Sequence, residues 1–551
     1  MAALTRPATI PLPQPLIDSK FVVRFFTLSH KSRLLFQAEK IHRLTCHSKV
    51  PPEIEDAVRN VLDNDGKRHL KGAKSIVKWI QSLESGRVER ALDYLITSKA
   101  HERFARFFTD GPIDIQVSYW DSVELDVLVI ADFAKLIVQL LAGVIFGFLA
   151  CGNAHHTNSA IRQNISGVCL RLLSSPLPDQ CVQSAWILGN LACESAAFAT
   201  TFISAGVPEK LVQSIKHYID VDRSSTNTPQ TATIIWTLNS LEKGGPYLLD
   251  ENLVRPPLLH VFSHILTILQ RYELITFFVK LLKEEKVLLD DIIQEICVFF
   301  HGCCVEPRWI EALVNADVAS SLVDILTVAG PALQTTALQV IGAVSASEYD
   351  NILIQGGVFP ALQDILATES TLRLAEDACW IMANLTDCTE HVDALMRDVG
   401  VLQLLCDVIA EVTSAYEQAI YEVRTREALR VIANVINHGT PTHVRQLVAK
   451  AQCVAPMVGL LKCWIEKETL MLVIDTLWKL IRQGEDYKVP TNDGGMKNAY
   501  WALFDMAGGD EELRGLGEHP DSTVANTAMN TLAMVRRSLI TTFAGLLIAV
   551  V

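Results

Sequence analysis

The sequence has no Gly-rich phosphate loop, no nucleophile elbow and no paired Cys or His spacing of the zinc-site kind. His155-His156 and His301-Gly-Cys-Cys304 bring ligand-type side chains together, but neither has a second pair at a ligating distance along the chain. We therefore expect no enzyme, no cofactor and no metal. A secretory signal is also missing: residues 1–17 carry four prolines and one arginine, with no unbroken apolar core. No apolar run reaches the roughly 20 residues of a spanning helix. The longest, Leu136 to Cys151, is uncharged, and its strongly polar member is Gln139, which suits a buried helix. The apolar tail after Arg536-Arg537, Ser538 to Val551, is shorter still, and reads as a packed cap or an interfacial anchor. Basic charge is in deficit, with 48 Lys and Arg against 62 Asp and Glu, which argues against a direct nucleic-acid surface and suits basic protein partners. Thirteen cysteines show no disulfide framework and sit mostly in apolar helical runs, so they read as reduced core residues of a cytoplasmic or nuclear protein.

What is present is a repeated helical sentence. Gln180-Cys-Val-Gln-Ser-Ala-Trp-Ile-Leu-Gly-Asn-Leu-Ala-Cys-Glu194 has apolar residues at helical spacing. A break follows at Gly206-Val207-Pro208, and then a second amphipathic run. Trp186, Asn190 and Glu194 stand four apart, so they share one stripe of the helix, which we expect to face outward. Copies occur at Thr233-Ile-Ile-Trp-Thr-Leu-Asn-Ser-Leu241, Glu376-Asp-Ala-Cys-Trp-Ile-Met-Ala-Asn-Leu-Thr386 and Glu427-Ala-Leu-Arg-Val-Ile-Ala-Asn-Val435. Positions equivalent to Asn190 fall at 148, 190, 240, 301, 343, 384, 434 and 479, with a long interval of 61 that holds an insertion near Asp250 to Ser263. A period of roughly 40 to 47 residues is that of armadillo and HEAT arrays. The expectation is an all-α, right-handed armadillo-repeat superhelix, an α-solenoid. Its parts are an N-terminal extension over 1–50, irregular helical repeats over 51–132, the main array over 133–537 and the tail over 538–551.

The wording Trp186-Ile-Leu-Gly-Asn-Leu-Ala, Ala378-Cys-Trp-Ile-Met-Ala-Asn-Leu-Thr386 and Ile474-Asp-Thr-Leu-Trp-Lys-Leu-Ile-Arg-Gln-Gly-Glu485 resembles importin alpha, over about residues 135 to 535. That resemblance implies an adaptor that binds Lys/Arg-rich nuclear localisation signals for import into the nucleus. Trp rungs would sandwich cationic side-chain stems, Asn rungs would fix the peptide backbone and acids would receive the charged tips. Carried over by position, the peptide-binding residues are Gly152, Thr157, Trp186, Asn190, Glu194 and Trp236 in an N-terminal pocket. A C-terminal pocket has Asp377, Trp380, Asn384, Glu427 and Asn434. Departures from the pattern are Val144, Phe148, the order Asn239-Ser240, Gln294, Cys297, Gln339, Ala343, Ile352 and Arg430, the last expected to repel a cationic ligand. The family's basic importin-beta-binding segment has no clear counterpart, since Lys31-Ser-Arg33 and Lys67-Arg68 are the densest basic sites. Partners implied are basic cargo segments and importin beta, with membrane contact disfavoured. The alternative reading is a non-transport armadillo scaffold for another protein; a third adds a membrane attachment through the apolar run or the tail.

Overall fold

Helix after helix is stacked along the chain in the computed structural model, which describes residues 50–110, 127–221, 228–243, 268–284 and 288–548, less stretches of one to five residues. The N-terminal extension, except for Val50, and the insertion at 244–267 lie outside the described residues. Four helices, Pro52–Leu62, Gly66–Gln81, Ser85–Thr97 and Ala100–Asp110, come first along the chain, and Gly66–Gln81 and Ala100–Asp110 pack on the helix Val127–Cys151. The array is organised by eight long helices, each the third of its repeat. They are α1 (Val127–Cys151), α2 (Pro178–Glu194), α3 (Thr228–Lys243), α4 (Asp290–Cys303), α5 (Pro331–Ser345), α6 (Leu372–Leu385), α7 (Gln418–His438) and α8 (Lys467–Gln483). Every position of the predicted series falls in one of them. The all-α solenoid of armadillo type is the fold observed.

Local rules account for the boundaries. Pro178 and Pro331 open α2 and α5 at positions where no intrahelical N–H is needed. Thr371 opens α6 by accepting the Leu374 N–H on its hydroxyl. The turns between the shorter helices use left-handed backbone at Gly206 (φ 76°) and Gly357 (φ 81°), where a residue without Cβ is unstrained. The uncharged run after Leu136 belongs to α1, and Leu140, Ala142, Ile145 and Phe146 in it are buried. Among the described residues, no helix is long and apolar enough to cross a membrane.

The chain divides into two compact units, residues 1–274 with 287–296, and residues 275–286 with 297–551. In the first, α2 is packed between α1 and α3. In the second, α6 lies between α5 and α7, and α8 packs on α7 and on the terminal helix Ser522–Ile548. The polar stretch after Tyr487 forms a two-stranded antiparallel hairpin, β1 (Lys488–Pro490) with β2 (Met496–Asn498), Lys488 facing Asn498. Asn498 then caps the helix Ala499–Met506 by accepting the Tyr500 and Trp501 N–H groups, and it donates to the Ile481 carbonyl at 2.8 Å. The apolar tail continues the terminal helix as far as Ile548.

Candidate peptide-binding site

Each tryptophan of the repeated stripe sits over a glycine of the preceding third helix. A Cβ placed on Gly147 would come within 1.4 Å of the Trp186 ring, one on Gly189 within 2.6 Å of Trp236 and one on Gly342 within 2.4 Å of Trp380. These glycines occupy one repeat position, immediately before 148, 190 and 343 in the series. Where the next rung has no tryptophan, the same position holds Asn239, Phe300, Ala383 or Ala433. The hollow and the ring therefore occur together, a pairing present in the sequence that four-residue spacing alone does not pick out.

In the first unit the hollow takes the ring down into the protein. Trp186 is 3% exposed, and its ring and that of Phe148 form a T-shaped pair, 6.3 Å between centroids and 88° between planes. Asn190 is buried too: its Nδ2 donates to the Trp186 carbonyl at 3.0 Å, and its Oδ1 is enclosed without a partner. The expected outward stripe is thus corrected for Trp186 and Asn190. With α1 on one side and α3 on the other, every residue of α2 from Gln180 to Ala192 is buried, and only Glu194, at the helix end, is exposed. Trp236 is half-buried. Asn239 bridges to the next third helix, its Nδ2 donating to the Glu295 carbonyl at 3.0 Å and to Glu295 Oε2 at 2.8 Å. Gly152 adjoins a capping box in which Asn153 accepts the His155 and His156 N–H groups, and Thr157 is 1% exposed with its hydroxyl oxygen unpartnered.

The second unit presents the same residue types differently. Trp380 is 38% exposed over Gly342. Asn384 donates to Ser345 Oγ at 3.3 Å, and Asn434 donates to the Ala383 carbonyl at 2.9 Å and to Thr386 Oγ1 at 3.2 Å. Both amides are fixed through nitrogen to the neighbouring third helix, half-buried, and their oxygens accept no hydrogen bond from described residues. Asp377, one turn before Trp380, is 3.3 Å from Arg373, a highly exposed side chain. Burial pushes the Asp377 carboxyl up from the ordinary range, and the Arg373 guanidinium opposes this. Trp380, Asn384 and Asn434 form one contiguous set, because Asn434 bonds the residue just before Asn384.

Glu427 is placed otherwise. It is 5% exposed, with Oε2 held by Arg430 at 2.5 Å and Oε1 at 3.4 Å from Arg426 Nε. Arg430, expected to act by repulsion, instead pairs with the acid that was to receive a ligand's cation. A cavity of about 560 Å³ lies apart from this face, among Arg445, Val454, Tyr487, Tyr500 and Leu503.

No family model matches the chain. Importin subunit alpha-8 of Arabidopsis thaliana is 22% identical over 375 residues, which is 68% of this chain and 75% of that protein. Importin subunit alpha-1b of Oryza sativa subsp. japonica is 22% identical over 386 residues, 70% of this chain and 65% of that one. The fold is that of an armadillo array. The crystal structure of an engineered protein matches it with a TM-score of 0.60 at 17% identity, over 88% of this chain and 99% of that one, a likeness of fold alone.

Proposed function

We propose that this chain is an importin-alpha-like adaptor that holds a short Lys/Arg-bearing segment of a cargo protein against α5, α6 and α7. The observation that carries the reading is the half-open indole of Trp380, with Asp377 one turn before it and Asn384 one turn after it on α6. A lysine or arginine stem would lie on the indole and its tip would meet Asp377, while the Asn384 and Asn434 oxygens accept peptide N–H groups. Each cation-π contact contributes roughly 0.5 to 2 kcal/mol, so a single working rung gives weak binding that backbone hydrogen bonds must supplement. The net charge of −14 favours basic ligands. The similarity to two importin alpha subunits supports a role in protein import, with importin beta as a further partner and the cytoplasm and nucleus as locations.

The pairing of Glu427 with Arg430 favours a second reading, an armadillo scaffold whose partner is not basic. Fluorescence polarisation with a labelled Lys/Arg-rich peptide separates the two. Binding at low salt that is lost in Trp380→Ala and kept in Trp186→Phe is the expected result. No binding at low salt would leave the scaffold reading.

A further inference from the structure

At the start of the helix Thr389–Leu395, Asp387, Cys388 and His391 each bring one ligand-type atom within 4.8 Å of the others. His391 Nδ1 is 3.6 Å from Asp387 Oδ1 and 3.7 Å from Asp350 Oδ2. Both distances exceed a hydrogen bond, and Nδ1 is enclosed with no hydrogen-bond partner. The Asp387 distance does match two ligands of one ion: bonds of about 2.0 to 2.3 Å in tetrahedral geometry set ligand atoms roughly 3.3 to 3.8 Å apart. Asp350 stands at the N-cap of the equivalent helix, Asn351–Gln355, one repeat earlier.

Two sister positions show what a purely structural histidine does here. His156 and His443 also occupy the third residue of their helices, Ala154–Arg162 and Pro441–Ala449. In each, Nδ1 accepts the N-cap N–H at 3.3 Å, from Asn153 and Thr440 respectively. Nε2 reaches an earlier aspartate, Asp93 at 2.9 Å or Asp393 at 3.4 Å. One carboxylate and one cap bond satisfy such a ring. His391 departs from this arrangement: its N-cap residue is Cys388, its Nδ1 takes no cap bond, and that nitrogen faces two carboxylates.

The geometry points to a divalent-metal site of the zinc type formed by Asp387, Cys388 and His391, with Asp350 of the preceding repeat as a neighbouring carboxylate outside the ligand set. A thiol with an imidazole selects a borderline ion such as Zn²⁺ over Mg²⁺ or Ca²⁺, which prefer all-oxygen sites. Binding converts the Cys388 thiol to thiolate and releases one proton, with no redox change. None of these residues belongs to the Trp380 set, so the site stands or falls apart from the peptide-binding proposal.

The test is titration of the chelator-stripped full chain with Zn²⁺ and with Co²⁺, read by metal stoichiometry, absorption and thermal melting. One ion per chain, a thiolate-to-cobalt charge-transfer band and a rise in Tm on adding Zn²⁺ are expected. Cys388→Ser should abolish the band, and Asp387→Asn and His391→Asn should each weaken affinity at least tenfold. Cys463→Ser, a half-buried cysteine in another repeat, should leave all three readouts unchanged. Circular dichroism checks that each variant folds. Substoichiometric metal on the wild-type chain, or a charge-transfer band that survives Cys388→Ser, would overturn the assignment.

Discussion

Arg430 and Glu427 are joined at 2.5 Å one turn apart on α7, with the carboxylate buried and the guanidinium half exposed. The arginine stands at a rung position where the importin alpha pattern has an indole, so it removes a platform and also occupies an acid. Arg430→Ala should tighten a basic peptide severalfold by releasing Glu427. It should also lower the melting temperature, because a buried carboxylate loses its closest cation. Paired titration of peptide and thermal melts checks both signs.

Gly342 and Trp380 give a stability prediction with its own control. In Gly342→Ala the methyl meets the indole at 2.4 Å and the ring must move, for a loss of about 1 to 3 kcal/mol by denaturant unfolding. In a Trp380→Ala background the clash is gone. There the same change should be neutral or stabilise by about 0.5 to 1 kcal/mol, since alanine is the better helix former.

Asn239 is committed to the fold through its amide nitrogen, and its substitution should separate stability from binding. Asn239→Ala leaves the buried Glu295 carboxylate without its amide donor and should destabilise by about 1 to 3 kcal/mol. Peptide affinity measured below the unfolding transition should stay within twofold of wild type.

Asp377 sets an acid limit. Its carboxyl is raised by burial, so the folded state holds this proton more tightly than the unfolded chain does. Its contribution to stability therefore falls as pH rises through the folded value, the reverse of a salt-bridged carboxylate. Binding of a cation needs the ionised form. Peptide affinity should decline on acidification at a pH above the usual aspartate range, and Asp377→Asn should flatten that limb of a polarisation titration.

Periodicity made the array legible, since all eight third helices contain their predicted position and Pro178, Pro331 and Thr371 mark their starts. Exposure was less legible. Four-residue spacing puts Trp186, Asn190 and Glu194 on one face, but it does not say whether that face meets solvent or a neighbouring helix. With α1 and α3 on either side, the neighbours prevail at Trp186 and Asn190. The same spacing at Trp380 and Asn384 leaves the ring partly open. From the sequence Arg430 is expected to repel a cationic ligand; that its charge is instead paired with Glu427 goes with the burial of that carboxylate, a property of packing. The cluster at His391 is not legible as a site because Asp387, Cys388 and His391 are a single close set with no second pair along the chain, and the convergence of their ligand atoms is a property of the folded turn.

The glycine beneath each indole makes neighbouring repeats dependent on each other. A repeat that carries a tryptophan fits only behind one that carries the hollow, so Trp380 cannot be moved without Gly342, nor Trp236 without Gly189. Repeats of this array are not freely interchangeable parts. They transfer as ordered pairs, and a chimera that breaks a pair should be defective at the junction even when each repeat is intact.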